Sequence, residues 1–430
     1  MKSFIRIACF ALGLALLMYL ANTFFVQTDT HAFLALHELT HRDDIDIAFV
    51  GSSVARNHFE PTLITEKTGL TAFNLALPYM GLQGSIAASK LLYEHHNPQW
   101  MVLIAEPYMF TADRESAQTQ FRLMPFIKNP LDRLAYYIDT SRCDERWIDR
   151  LLMPRLFGAE NLEQLKKTLH IHMDPEFYVQ QQLSSEEIGF TYRGSGFMHP
   201  GYGIEESERL RIGAYQVEET AIPGISPFCV DALQRFEHLC RQNGANFMVV
   251  IFPYITASML AQPDYLIYNE LLRAYCAERG IPCFDFTLAK ETLLPPLDTY
   301  YQNVEHMGID GTMVLSEAFC EVFNRYTAGE DVSELFYPDT QAYLASIDRV
   351  TNVFFTEQTE PGLYSAACHH GTLVTPEYHF AALQPDGQEV TLRDYAPENS
   401  WQGSIPDGCI LRVYARAAHS EQTPVYFDLL

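Results

Sequence analysis

The chain has 430 residues, 29 Lys and Arg against 54 Asp and Glu, and a formal net charge of −25. No basic run or aromatic-interleaved basic patch interrupts that acidity, so nucleic acid is excluded as a partner, since holding a phosphate backbone needs clustered cations. Apolar residues make up 48% of the sequence, enough for a large core, and the length predicts two folded units plus an appendage.

Residues 7–26, IACFALGLALLMYLANTFFV, form an uncharged apolar run long enough to cross a bilayer as one helix. Lys2 and Arg6 precede it, and the following QTDTHAFLALHELTH has neither Lys nor Arg. The positive-inside rule then puts the N-terminus in the cytoplasm and the bulk of the chain outside it, as a single-pass cell-membrane protein. A cleaved signal peptide would show a shorter apolar stretch followed by a small-x-small site, which is not evident, so an uncleaved anchor over residues 1–26 is expected. Nine cysteines occur, with Cys9 inside the span. Export permits disulfides, with Cys276/Cys283 and Cys368/Cys409 as possible pairs and isolated buried thiols as the other reading. The lack of any CxxC speaks against a zinc ribbon or a thioredoxin-like redox site.

After the anchor, strands and helices alternate. Short apolar runs at Ile45–Val50, Thr71–Leu75, Trp100–Ala105, Phe247–Phe252 and Pro282–Phe286 read as strands. Helical patterns occupy 83–96, 264–280 and 309–326, with a loop and short helix over 54–67. Continuous apolar strands separated by helices predict a parallel sheet with functional loops at the strands' carboxyl ends. An insertion of roughly 113–228 is too long for a loop of a compact domain. Its first half reads helical, and its Gly- and aromatic-rich second half, around 186–203, suits a lid or a platform stacking on sugar rings. From about 340 to 430 apolar and polar residues alternate between turn signals such as Pro385-Asp386-Gly387 and Pro406-Asp407-Gly408, predicting a small antiparallel β-sandwich that resembles an immunoglobulin-like module.

Three segments can carry chemistry. In IDIAFVGSSVARNHFEP (45–61) a strand enters a tight Gly51-Ser52-Ser53 turn, which would hold a hydroxyl at the strand's end near backbone N–H groups. By itself such a serine is more often a helix cap. In YQNVEHMGIDGTMVLSEAFC (301–320) His306 stands just before an amphipathic helix. In NLALPYMGLQG (74–84) Gly81 would let a backbone N–H approach an oxyanion, with Ser53 N–H as the other donor. MVLIAEPY (101–108) ends the third strand and puts Glu106 on the same rim.

This order of strand–GSS, strand–NLALP…G, strand–IAEPY, long insertion, strand–FPY and a His before the last helix resembles the SGNH (GDSL-like) hydrolase superfamily over roughly residues 43–326. The likeness points to its membrane-anchored cell-envelope branch, with the DltD-like and alginate O-acetylation proteins. It implies a three-layer, flavodoxin-like α/β domain spanning 27–335, a Ser53 nucleophile, a His306 general base and a Gly81 oxyanion donor, with no cofactor and no metal. It also implies an envelope polysaccharide or related glycopolymer as substrate, and by analogy a membrane-bound O-acyltransferase as working partner. Two positions depart from the family: Asn303 stands where an Asp usually precedes the His by three residues, and Ala105-Glu106 replaces a Gly-x-Asn-Asp block. An Asn orients a neutral imidazole but does not stabilise an imidazolium as a carboxylate does. Asp285, Asp298 and Glu305 are the carboxylates that could stand in.

Two other readings stay open. One is a non-catalytic scaffold that binds glycan or assists polymer assembly. The other is a zinc peptidase, because His37-Glu38-Leu39-Thr40-His41 matches H-E-x-x-H; no third ligand follows at metzincin spacing, and a chance match is expected. The histidine clusters His95-His96, His170/His172 and His369-His370 are expected on solvated surfaces.

Overall fold

The computed structural model describes residues 2–27, 29–111, 115–141, 150, 158–183, 192–198, 224–295, 300–303, 305–356 and 360–429. Strands β1 (Ile47–Val50), β2 (Ala72–Asn74), β3 (Trp100–Ala105), β4 (Asn246–Ile251) and β5 (Cys283–Asp285) form one five-stranded sheet in the order β2-β1-β3-β4-β5. Pairing is parallel, with Ile47 opposite both Ala72 and Trp100. That order is doubly wound, and the winding reverses between β1 and β3, so the crevice at their carboxyl ends is the topological switch point where α/β sheets take ligands. The third strand runs as the sequence predicts, and the other predicted strands lie within two residues of their observed ends.

The chain divides into two compact units: 1–201 with 225–250 and 276–283, and 251–275 with 202–224 and 284–430. The division runs through the predicted α/β region rather than near 335–340. Within the second unit the helix Thr256–Ala261 packs with sandwich strands, which joins the end of the α/β region to the sandwich.

The first unit opens on α1 (Lys2–Phe24), none of whose residues is buried. At 23 residues it is long and apolar enough to cross a membrane; its length of about 35 Å exceeds the roughly 30 Å hydrocarbon core. Helix α2 (Thr30–Leu39) starts at Asp29, whose carboxylate accepts Ala32 N–H at 2.9 Å and Arg122 Nε at 2.6 Å. Then come α3 (Ser53–His58) and α4 (Pro61–Thr68), the latter opened by Glu60 and Pro61 and stopped at Gly69. They are followed by α5 (Leu82–Tyr93), α6 (Tyr108–Thr111), α7 (Ala117–Leu123), α8 (Pro130–Ser141), α9 (Leu162–Met173), α10 (Pro175–Leu183) and α11 (Pro227–Gln242). Every residue of β1 is buried, as a strand covered on both faces requires.

Helices α7 to α10 lie in the predicted insertion, and the described residues of its first half are largely helical, as expected. Most of its aromatic-rich second half lies outside the described residues. The exception, 192–198, folds onto the end of β2: Asn74 N–H donates to Ser195 O at 2.8 Å. Gly196, at φ +74°, sits where a Cβ would fall 1.8 Å from Asn74 O, so only glycine fits.

The second unit contains α12 (Thr256–Ala261), most of α13 (Pro263–Arg279), α14 (Ile309–Thr327) and α15 (Thr340–Ser346). Its remaining strands are β6 (Val350–Phe355), β7 (Leu363–His370), β8 (Pro376–Leu383), β9 (Glu389–Ala396), β10 (Ser400–Gln402), β11 (Ile410–Ala417) and β12 (Val425–Leu429). They build a three-stranded sheet, β10-β7-β6, and a four-stranded sheet, β12-β11-β8-β9, both antiparallel. Val350, Val353 and Ala366 of one sheet share a core with Phe380, Leu411 and Val413 of the other. The strict in–out alternation along β11 is what made this region legible.

Among the described residues all cysteines are free, so neither suggested disulfide is formed. Cys276 is buried, and Cys368 Sγ lies 3.1 Å from Tyr378 OH.

Candidate active site

In the first unit the site grows from the end of β1. Gly51 has φ +147°, and a Cβ there would lie 2.7 Å from Ile104 O on β3. Glycine therefore allows β1 to turn while still against β3. Ser52 caps α3: its Oγ accepts Val54 N–H at 3.2 Å and donates to Glu106 Oε1. Ser52 is 1% exposed and Glu106 3%, so this is a buried hydrogen bond that ties the carboxyl ends of β1 and β3. Glu106 thus stands beside the turn at the end of β3 and anchors it from inside the fold. With its lone pair and proton both engaged, Ser52 is a structural serine. Ser53, the first residue of α3, is half-buried and stands at the switch point.

Asn74, fully buried, locks α3 against β2 by donating from Nδ2 to Ala55 O at 2.6 Å and Phe59 O at 3.1 Å. One turn beyond Ser53, the half-buried Arg56 feels the charges of Asp29 and Arg122 and stands near the buried His31. Burial lowers Arg56 to about 10. Burial, reinforced by Arg56, lowers His31 to about 3, which keeps that imidazole neutral at physiological pH.

Gly81 departs from the sequence expectation. Its N–H donates to Glu115 Oε1 at 2.7 Å, and Gly84 N–H donates to Glu115 Oε2 at 2.8 Å. Gly81 is the N-cap of α5 and has no side chain to cap with, so the Glu115 carboxylate serves the helix start from outside it. The amide assigned to an oxyanion is directed at this carboxylate instead. Burial pushes the Glu115 carboxyl above its ordinary value, while the backbone N–H groups of Gly81, Gly84 and Ser116 oppose the rise.

In the second unit a tight loop holds His306. Gln302 N–H donates to His306 O at 2.7 Å, Gly308 N–H donates to Tyr300 O at 2.6 Å, and the buried Tyr301 hydroxyl donates to Pro253 O after β4. Asn303 Oδ1 accepts the backbone N–H of Glu305 and of His306, each at 2.9 Å, and lies 3.2 Å from His306 Nδ1. Two donors fix that amide oxygen as an acceptor, so Nδ1 carries the ring proton and Nε2 presents a lone pair, the tautomer of a general base. Of the carboxylates considered as stand-ins, Asp285 is engaged by Thr287 N–H at 3.0 Å and lies 3.4 Å from Arg273 Nε. Glu305 is exposed, and Asp298 lies outside the described residues.

The H-E-x-x-H segment does not assemble a peptidase. The Glu38 carboxylate accepts from Arg42 Nη1 at 3.1 Å, from Ser195 N–H at 2.9 Å and from the Tyr192 hydroxyl, which leaves it no water to activate. His96, expected at the surface, is 5% exposed with Nε2 2.7 Å from Leu39 O at the end of α2. Sequence reasoning missed Ser52, Asn74, Arg56 and Glu115, whose roles arise from partners brought together only by the fold.

No protein-family model matches the chain, and no curated relative does. Among solved structures, "a putative acylhydrolase" from Bacteroides fragilis NCTC 9343 aligns at 9% identity and a TM-score of 0.31, over 68% of this chain and 94% of that one. A trimodular GH5_4 subfamily endoglucanase aligns at 10% identity and a TM-score of 0.17, over 94% of this chain and 80% of that one. Scores this low leave the functional reading to the residues themselves.

Proposed function

We propose that the chain is an SGNH-type serine esterase or O-acyltransferase, anchored by α1 and acting outside the cytoplasm on an envelope polysaccharide or related glycopolymer. The observation that carries this reading is Ser53, a half-buried hydroxyl on a glycine-dependent turn at the β1/β3 switch point, with its neighbour Ser52 tied down by Glu106. His306, in its base-competent tautomer, supplies the second group. Ser53 Oγ attacks the acyl carbonyl carbon, and its proton passes to His306 Nε2. Ser53 N–H stabilises the oxyanion. The leaving alkoxide takes the proton from His306, and the acyl-enzyme is then opened by water in hydrolysis or by a sugar hydroxyl in transfer. The chemistry requires no cofactor. A membrane-bound O-acyltransferase would be a fitting source or recipient of acyl groups.

The test is turnover of a small acetyl ester by the detergent-solubilised chain. Ser53→Ala and His306→Ala should each abolish it with the fold intact; two variants turning over at the parent rate would rule the assignment out.

One observation favours a second reading, a non-catalytic glycan-binding or polymer-assembly scaffold. Gly81 N–H, the other expected oxyanion donor, is bonded to Glu115. Saturable glycan binding without ester turnover would support that reading.

A further inference from the structure

Glu38 is disqualified as a peptidase base, but its flanking histidines are not disqualified as ligands. We propose that His37, His41 and Glu176 form a site for a divalent late first-row cation of the zinc class, which ties α10 to α2 just after the anchor helix.

One helical turn stacks the two imidazoles, with ring centroids 4.2 Å apart and planes 17° from parallel. From the first turn of α10, Glu176 Oε1 lies 2.9 Å from His37 Nε2 and 3.7 Å from His41 Nε2. All three donor atoms fall within 4.8 Å of one another. Donors about 2.0–2.2 Å from one tetrahedral ion lie roughly 3.4 Å apart, which the two Glu176 separations bracket.

The ring nitrogens are prepared for the task. His41 Nδ1 lies 2.8 Å from His37 O, which can only accept, so Nδ1 carries the proton and Nε2 keeps its lone pair. The two helices are already docked: the Tyr178 hydroxyl is 2.9 Å from Thr30 Oγ1, and the Tyr178 ring, 2% exposed, packs edge-on against Phe33. His37 on α2, His41 in the turn that follows it and Glu176 on α10 are therefore brought together before a metal arrives. Coordination at His37 replaces the contact between its Nε2 and Glu176 Oε1, the ring proton moving to Nδ1. A fourth position is left for water. With Glu38 engaged elsewhere, the site fastens two helices rather than performing hydrolysis.

The test uses the full chain in detergent, stripped with chelator and titrated with Zn²⁺ and, separately, Co²⁺. The expected result is one equivalent bound at micromolar Kd or tighter, a tetrahedral Co²⁺ visible spectrum, and a metal-dependent rise in Tm. His41→Ala and Glu176→Gln change exposed side chains, so circular dichroism should match the parent. Each should raise Kd at least tenfold and remove both the spectrum and the rise in Tm, while His95→Ala should change nothing. No stoichiometric binding, or binding that survives both substitutions, would overturn the proposal.

Discussion

Asn303 Oδ1 sits 3.2 Å from His306 Nδ1 while two backbone N–H groups hold that oxygen as an acceptor. An amide here sets the tautomer correctly but gives an imidazolium no counter-charge. Asn303→Asp should therefore raise kcat for ester turnover about tenfold, the difference between a neutral and a charge-assisted hydrogen bond. It should also move the acid limb of the pH profile upward, because a carboxylate favours the protonated ring. Asn303→Leu should lower kcat. An unchanged rate and pH profile in the Asp variant would mean that His306 is not the base.

Glu115 accepts two N–H groups at the start of α5, whose N-cap Gly81 has no side chain to do so. Glu115→Ala should cost about 2–3 kcal/mol in denaturant unfolding, because buried donors lose their acceptor. Glu115→Gln, which keeps one acceptor oxygen, should cost less. Equal stability in all three proteins would contradict the capping role.

Asp285 is held by burial at about 6, above its ordinary 3.8, with Arg273 opposing the rise. An acid whose folded value is raised binds its proton more tightly in the folded state. Its contribution therefore favours the fold below 3.8 and is lost as pH climbs from there to about 6. Urea unfolding from pH 4 to pH 6.5 should show the parent losing roughly 1–3 kcal/mol relative to Asp285→Asn. Parallel pH curves would remove this burial effect from the account.

Much of the scaffold was readable from the sequence because its signals are local. WMVLIA is a buried strand by composition alone, and ILRVYARA announces a one-sided strand by alternation. The GSS turn and the His before α14 were equally visible. The finer site was not, because its partners meet only through the fold. Glu115 reaches Gly81 across 34 residues, Glu106 reaches Ser52 across 54, and Glu176 reaches His37 across 139. No periodicity encodes such pairings. The disulfide suggestions failed for a related reason, since Cys276 is a core-facing helical residue and sequence spacing cannot reveal which way a thiol points.

Ser53 reactivity tests the central claim most directly. The parent chain, treated with a serine-directed fluorophosphonate and mapped by peptide mass spectrometry, should carry one label, on Ser53, at a rate greatly reduced by His306→Ala. A label elsewhere, or none after prolonged exposure, would contradict an acyl-transfer nucleophile at the end of β1.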